Sequence, residues 1–231
     1  MKKISFSDKI LNAAPGLKVL QINAACTNHP TSDDLWNEIC QKCENISGIY
    51  KLEEINKRPA IAATRKAYKA LGKEPNRYRP SSEAMCRRII NGKGLYRLSS
   101  LIDIINLISI ASGYSIGGFD NDKIEGDSLL LDAGTHHDTF EGIGRGIINI
   151  AGLPVYRDLK GGIGTPTSDE ERTKLTLHTS NLLMLVNIYG EEMEINETLE
   201  MARSLLIKFA AATSIEAHLH IAATGETVLL N

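Results

Sequence analysis

Apolar and polar positions along this chain follow two rhythms, one of period two and one near 3.6 residues. Ile4, Phe6 and Ile10 open a first strand-like run, Pro15-Gly16 turns the chain, and Leu17 to Ile22 forms a second strand. From Thr31 the period lengthens. Thr31 or Ser32 caps a helix whose apolar face is Leu35, Trp36, Ile39, Cys40 and Cys43, ending near Ser47-Gly48. A second helix carries Leu52 and Ile55. A third begins at Pro59, a favoured first helical position, and runs to Leu71-Gly72. A loop with two prolines, 74–82, leads to a short helix from Glu83 to Ile90. Ser100 caps the next helix, in which Leu101, Ile104, Ile105, Ile108 and Ala111 keep helical spacing up to Gly113. Beyond it, Lys123-Ile124, Ser128 to Leu131, Ile147 to Ile150 and Val155-Tyr156 read as strands. Lys174 to His178 and Leu182 to Tyr189 read as central ones. Ile195 to Ala212 is an amphipathic helix, and Ile215 to Ile221 and Thr227 to Leu230 close the chain as strands. With no repeat, low-complexity tract or linker, residues 1–231 are expected to form a single α+β domain.

Composition narrows the class. The chain has 231 residues, 42% apolar and 23% charged, enough to bury a sizeable core. No apolar run approaches the roughly 18 residues of a membrane helix. The start, Met1 to Asp8, lacks the apolar stretch of a signal peptide. A cytoplasmic protein without membrane attachment is expected. Cys40 and Cys43 form a CxxC inside a helical pattern with no second pair, so they read as reduced packing residues, because a zinc site needs about four ligands.

Charge changes the picture more. The net charge is −2, yet Lys57 to Arg97 holds twelve Lys or Arg against two Glu, so this segment is +10 and the remainder −12. Either the segment faces a polyanion such as nucleic acid, or it is a solvated basic face paired with the acidic remainder. Arg77, Tyr78, Arg79, Arg87 and Arg88 can grip phosphates and stack on a base. Alternatively, Arg79 and Arg87 pair with Glu83 and only fix the loop.

Two stretches carry candidate chemistry. In Asp103 to Asp122, Asn106 sits within an apolar helical face, where an amide needs a partner. Gly117-Gly118-Phe119-Asp120 then reads as a turn that lets the backbone approach something closely. In Asp158 to Arg172, Gly161, Gly162 and Gly164 precede Thr165, Thr167, Ser168 and Asp169. Such a loop can cradle a carboxylate, phosphate or ester carbonyl. It lacks the Gly-Lys-Ser/Thr ending of a Walker A loop. It reads equally as a tight multi-turn loop, or as the cap of a short helix at Ser168 to Glu171. His136 and His137 with Asp138 form the one His-rich spot, but adjacent side chains of an extended chain point to opposite faces. His218 and His220 share a face without a third ligand. No metal and no cofactor are expected.

Asp103-Ile-Ile-Asn106-Leu, followed by Gly113-Tyr-Ser-Ile-Gly-Gly-Phe119-Asp120-Asn-Asp-Lys123-Ile124, resembles the tRNA-editing domain of the phenylalanyl-tRNA synthetase beta subunit, its third and fourth modules. Gly161-Gly162 falls where that family has its Gly-Gly loop. Arg79-Pro80-Ser81-Ser82-Glu83 and Gly162 to Asp169 are similar to free-standing relatives of the domain. The resemblance is strongest over 59–189, with 1–58 and 190–231 expected as integral additions to the same domain. It implies a three-layer α+β domain with mixed and antiparallel sheets and flanking helices. It also implies a trans-editing deacylase that hydrolyses the ester of mischarged tRNA, with tRNA or aminoacyl-tRNA as partner and no obligate protein partner. By this resemblance Asn106 matches the family's pocket Asn, and Gly161 and Gly162 its glycine loop; with the residues read above, the candidate pocket is Asn106, Gly117, Gly118, Asp120, Gly161, Gly162 and Gly164. Asp169, Thr165 and Thr167 are the catalytic candidates beside an attacking water, and Asp169, Asp120 or a tRNA hydroxyl could each assist that water. Two departures stand out. Gly117 replaces the family's His, and Leu183 to Tyr189 lacks its Glu. Both take part in recognising the wrong amino acid, so the amino acid stays open. A non-catalytic RNA-binding module and a small-molecule or amino-acid-binding protein that reuses the pocket are the alternatives.

Overall fold

The computed structural model describes residues 1–230. Strand β1 (Lys3–Phe6) runs directly into helix α1 (Asp8–Ala13). Ile10, expected in a strand, is therefore a buried helical residue. Ser7 makes the difference, because its hydroxyl accepts the Ile10 N–H and starts the helix. Strand β2 (Lys18–Ala25) follows. Helix α2 (Asp33–Ile49) starts on Ser32, which accepts the Leu35 N–H. The helix expected around Leu52 and Ile55 is only a 3-10 turn, Ile55–Lys57. Pro59 forces Arg58 into extended backbone (φ −53°, ψ 130°) and restarts the chain as α3 (Pro59–Ala70). Helix α4 (Ser81–Ile90) begins two residues earlier than its polar cap suggested, with Pro80 in the cap position. Helix α5 (Ser100–Ser112) is entered from Ser99, and Ser100 lies in its first turn with its hydroxyl donating to Asn28. It ends at Gly113, whose φ of 79° suits glycine.

The largest correction concerns Gly117-Gly118-Phe119-Asp120. It is not a turn but part of a fully buried strand, β3 (Ser115–Asp120). Lys123-Ile124 is no strand either. Asp120 accepts the Asp122 N–H and winds Asn121–Lys123 into a 3-10 turn. Strand β4 (Ser128–Ala133) comes next, then a two-rung hairpin of β5 (Glu141–Gly142) and β6 (Gly146–Ile147), so only the start of Ile147 to Ile150 is paired. Strands β7 (Pro154–Arg157), β8 (Gly162–Gly164) and β9 (Asn181–Ile188) follow. Lys174 to His178 makes a single bridge, Phe119 to Lys174, and turns on reciprocal bonds between Thr176 and Thr179. Helix α6 (Ile195–Ala210), strand β10 (Thr213–Ile221) and strand β11 (Glu226–Leu230) complete the described chain.

The fold is α+β. Strands order β11-β10-β2-β9-β3 in an antiparallel sheet and β1-β4-β7-β8 in a second, mixed sheet, where β1 and β4 are parallel. Period-two alternation divides the core. Leu20, Ile22, Leu182, Met184 and Val186 face α2, α4, α5 and α6. Val19, Leu183, Leu185 and Phe119 face the second sheet, meeting Leu129, Leu131, Tyr156 and Ile163. Helices, first sheet and second sheet thus stack in three layers. Strand β3 is an edge of the first sheet, and the 164–175 segment folds past it.

Candidate active site

A cavity of about 240 Å³ opens at the β3 edge. Helix α5 supplies Ile102, Ile105, Asn106 and Ser109, and α4 supplies Ser81 and Met85. Strand β3 supplies Ile116 and Gly118. The 165–175 segment supplies Thr165, Thr167, Ser168, Asp169, Lys174 and Leu175. The Asn106 amide has no side-chain hydrogen-bond partner among the described residues and is turned to this space. The lone amide on an apolar face is thus a cavity group.

Asp169 is the one acid in the lining. Burial raises its carboxyl to about 7, against which a hydrogen bond from the Gly118 backbone works only partly. Lys174, the one cation in the lining, is engaged by Glu171. Glycines make room for the carboxyl. A Cβ on Gly164 would lie 2.7 Å from Asp169 Oδ1 and 2.5 Å from the Phe119 ring, and one on Gly117 would lie 2.6 Å from the same ring. A Cβ on Gly118 would lie 2.3 Å from Ile105. The strand needs its two glycines for close packing, not for a turn. A carboxyl titrating near neutrality can both accept and return a proton.

The surrounding turn is tied from several sides. Thr165 accepts the N–H groups of Thr167 and Ser168 on its hydroxyl oxygen, which in turn donates to the Ser168 carbonyl. The Thr167 hydroxyl bonds Tyr68 Oη at 2.8 Å, and Tyr68 is fully buried. The Ser81 N–H donates to Pro166 O at 2.7 Å and docks α4 on the turn. Glu83, fully buried, holds α4 from behind by accepting from Arg65 and Arg87, both at 2.8 Å.

The remaining sequence candidates divide. Asn106, Gly118, Thr165, Thr167 and Asp169 line the cavity, and Gly117 backs the Asp169 carboxyl. Asp120 does not line it; its carboxylate is held by Thr179 and Lys123. Gly161 and Gly162 do not line it either. The Gly161 N–H donates to Asp158, and Gly162 packs on Phe140 and Val155. Gly164 touches it only through Asp169.

Among the basic candidates, Arg87 is committed to Glu83, and Arg79 stands 3.9 Å from the same carboxylate. Arg88 lies over the Tyr96 ring, and Lys73 sits 3.6 Å from the Tyr78 centroid. Arg77, Arg79 and Arg145 line a second depression of about 400 Å³ with Tyr78, which shares Ser81, Met85 and Thr167 with the cavity. It is a cationic depression beside the cavity. Ile102 and Ser109 were legible as neighbours of Asn106 at helical spacing. Nothing local in the sequence points to Tyr68, Ile143 or Arg145. Among the described residues no cluster of three or more His, Cys, Asp or Glu is placed to hold a metal, and no helix is long and apolar enough to cross a membrane.

A helix-backed antiparallel sheet with a carboxylate-bearing cavity at its edge strand defines an α+β pocket domain. Residues 63–208, more than half of the chain, match the B3/4 domain, and the chain belongs to that family. The fold is similar to that of an N-terminal fragment of the phenylalanyl-tRNA synthetase beta subunit from Pyrococcus horikoshii. The TM-score is 0.50 at 13% identity, covering 99% of this chain and 54% of that one. The chain thus spans about half the length of that fragment. No curated protein matches the chain.

Proposed function

We propose that the protein hydrolyses the ester of an aminoacyl-tRNA. The observation that carries this reading is Asp169: a carboxyl raised to about 7 in an otherwise largely apolar cavity that adjoins a depression lined by Arg77, Arg79 and Arg145. The aminoacyl group occupies the cavity, against Ile102, Ile105 and Leu175. The adjoining depression receives the terminal phosphates of the tRNA. The Asp169 carboxylate takes a proton from water as the water oxygen attacks the ester carbon. The Asn106 amide donates to the oxyanion that forms. Collapse breaks the carbon–oxygen bond to the ribose, and the Asp169 proton passes to the departing ribose oxygen.

Incubation with tRNA charged with each of a panel of amino acids tests this. At least one ester is expected to be lost well above the no-enzyme rate. Asp169→Asn is expected to lower that rate about 10²- to 10⁴-fold. The reading fails if no charged tRNA is deacylated. If tRNA is nevertheless retained without turnover, a non-catalytic RNA-binding module takes its place.

A further inference from the structure

One wall of the cavity beside Asp169 is left open to water. Met85, Ile102, Ile105, Ile116 and Leu175 come from α4, α5, β3 and the segment after β8. Ile143 stands instead at the tip of the β5–β6 hairpin and is 42% exposed. The hairpin is nonetheless fixed on the site. The Ile143 N–H donates to the Asp169 carbonyl at 3.1 Å, and Gly142 bridges Glu170. An isoleucine held at a cavity rim and still exposed is apolar surface that a bound side chain covers.

The polar groups of the lining are mostly committed to the protein. Thr165 is taken up by its own turn, and Thr167 bonds Tyr68. Ser109 and Ser168 donate to the carbonyls of Tyr114 and Asp169, and Lys174 is held by Glu171. Ser81 lies on the side shared with the cationic depression. That leaves the Asn106 amide and the Asp169 carboxyl, which the proposed reaction uses on the oxyanion and the water. A hydroxyl, amide or charge on the ligand's side chain would be buried without a partner. Among the described residues no aromatic ring lines the cavity, so a flat ring has nothing to stack on.

We infer that the amino acid taken by this cavity has an aliphatic side chain, seated against Ile105 and Leu175 and closed over by Ile143. The inference rests on the reading of the cavity as an aminoacyl pocket and adds the class of side chain it accepts. Size agrees. At about 240 Å³ the cavity exceeds the roughly 150 Å³ in which a dry apolar cavity holds benzene, so a valine or leucine side chain fits with room for the ester carbon.

Titration of the isotope-labelled protein with amino acid amides, followed by NMR, tests this without any ester. Valinamide and threoninamide are close in shape and differ in polarity, as do leucinamide and asparaginamide. The Ser109 and Gly118 amide signals are expected to shift, with valinamide and leucinamide binding about 10- to 100-fold more tightly than their polar counterparts. Ile143→Asn changes an exposed tip residue. It is expected to weaken valinamide about tenfold and to bring the ratio of valinamide to threoninamide affinity towards one. Equal or tighter binding of the polar amides overturns the inference. So does the absence of binding by every aliphatic amide, or tighter binding of phenylalaninamide than of leucinamide. An unchanged ratio in Ile143→Asn overturns the part given to the hairpin. Aliphatic amides that bind while no charged tRNA is hydrolysed would support the side-chain class and remove only the ester reaction.

Discussion

At the scale of single residues, Asp169 decides most of what can be measured. In the proposed reaction its ionised form is the base, so deacylation is expected to rise with pH, reach half its maximum near pH 7 and level off above it. A pH–rate profile checks this, and a profile flat from pH 5 to 9 would remove Asp169 from the reaction. The same burial has a cost for stability. The folded-state carboxyl is raised above its ordinary 3.8, so between pH 3.8 and about 7 the unfolded chain releases this proton and the folded chain keeps it. Stability from this group is complete at low pH and falls by up to about 1.4 kcal/mol per pH unit across that window. Asp169→Asn is therefore expected to melt higher than the wild type at pH 8 and to approach it near pH 4. Thermal denaturation at the two pH values separates this from a general loss of structure. Asp169 was visible in the sequence as one hydroxyl- and glycine-rich candidate among several, and Asn106 as an amide on an apolar face. What the sequence did not carry was distance. Asp120 stands in an equally suggestive motif, yet Thr179 and Lys123, the former 59 residues away, hold it.

At the scale of elements, two glycine positions with opposite surroundings give opposite expectations. A methyl on Gly164 meets Phe119 at 2.5 Å and Asp169 at 2.7 Å. Gly164→Ala is expected to cost about 1–3 kcal/mol in chemical denaturation and to disturb the carboxyl. Gly48 lies within α2, with nothing within 4 Å of an added methyl. Gly48→Ala is expected to gain about 0.5–1 kcal/mol. Helix α4 depends on its buried charge. Removing the Glu83 carboxylate leaves Arg65 and Arg87 facing a void, so Glu83→Ala is expected to cost about 3–5 kcal/mol and to loosen the Ser81–Pro166 contact at the cavity. Most helices were legible in their apolar spacing. The errors cluster where a local signal met a distant demand. Gly117-Gly118 has the residues of a turn, but Ile105 and Phe119 fill the space where side chains would stand, and β9 pairs the segment throughout. Ile10 has the spacing of a strand, but Ser7 caps it into a helix.

At the scale of the whole molecule, the matched family segment and the sheet do not coincide. Residues 63–208 contain β3 and β9 but not β2, β10 or β11. We propose that residues 1–62 and 209–230 are integral to the same domain. A fragment of residues 63–208 is then expected to show the circular dichroism of a largely unfolded chain, whereas the full chain melts in one transition. Two transitions in the full chain, or a folded fragment, would divide it instead. The class of fold followed from alternation and helical period, while the order of strands did not, because pairing across more than 150 residues leaves no local trace.

That strand order also sets a timetable. Strand β2 is the middle of the five-stranded sheet, and both of its neighbours, β9 and β10, lie in the last quarter of the chain. As the polypeptide leaves the ribosome, the apolar run Lys18–Ala25 has two unpaired edges until residue 181 and beyond have emerged. Closing loops of that length makes folding slow, and the waiting strand is exposed to pairing with other nascent chains. The yield of this protein is thus expected to depend on synthesis rate and on chaperones that cover its first thirty residues, more than on the strength of the finished core.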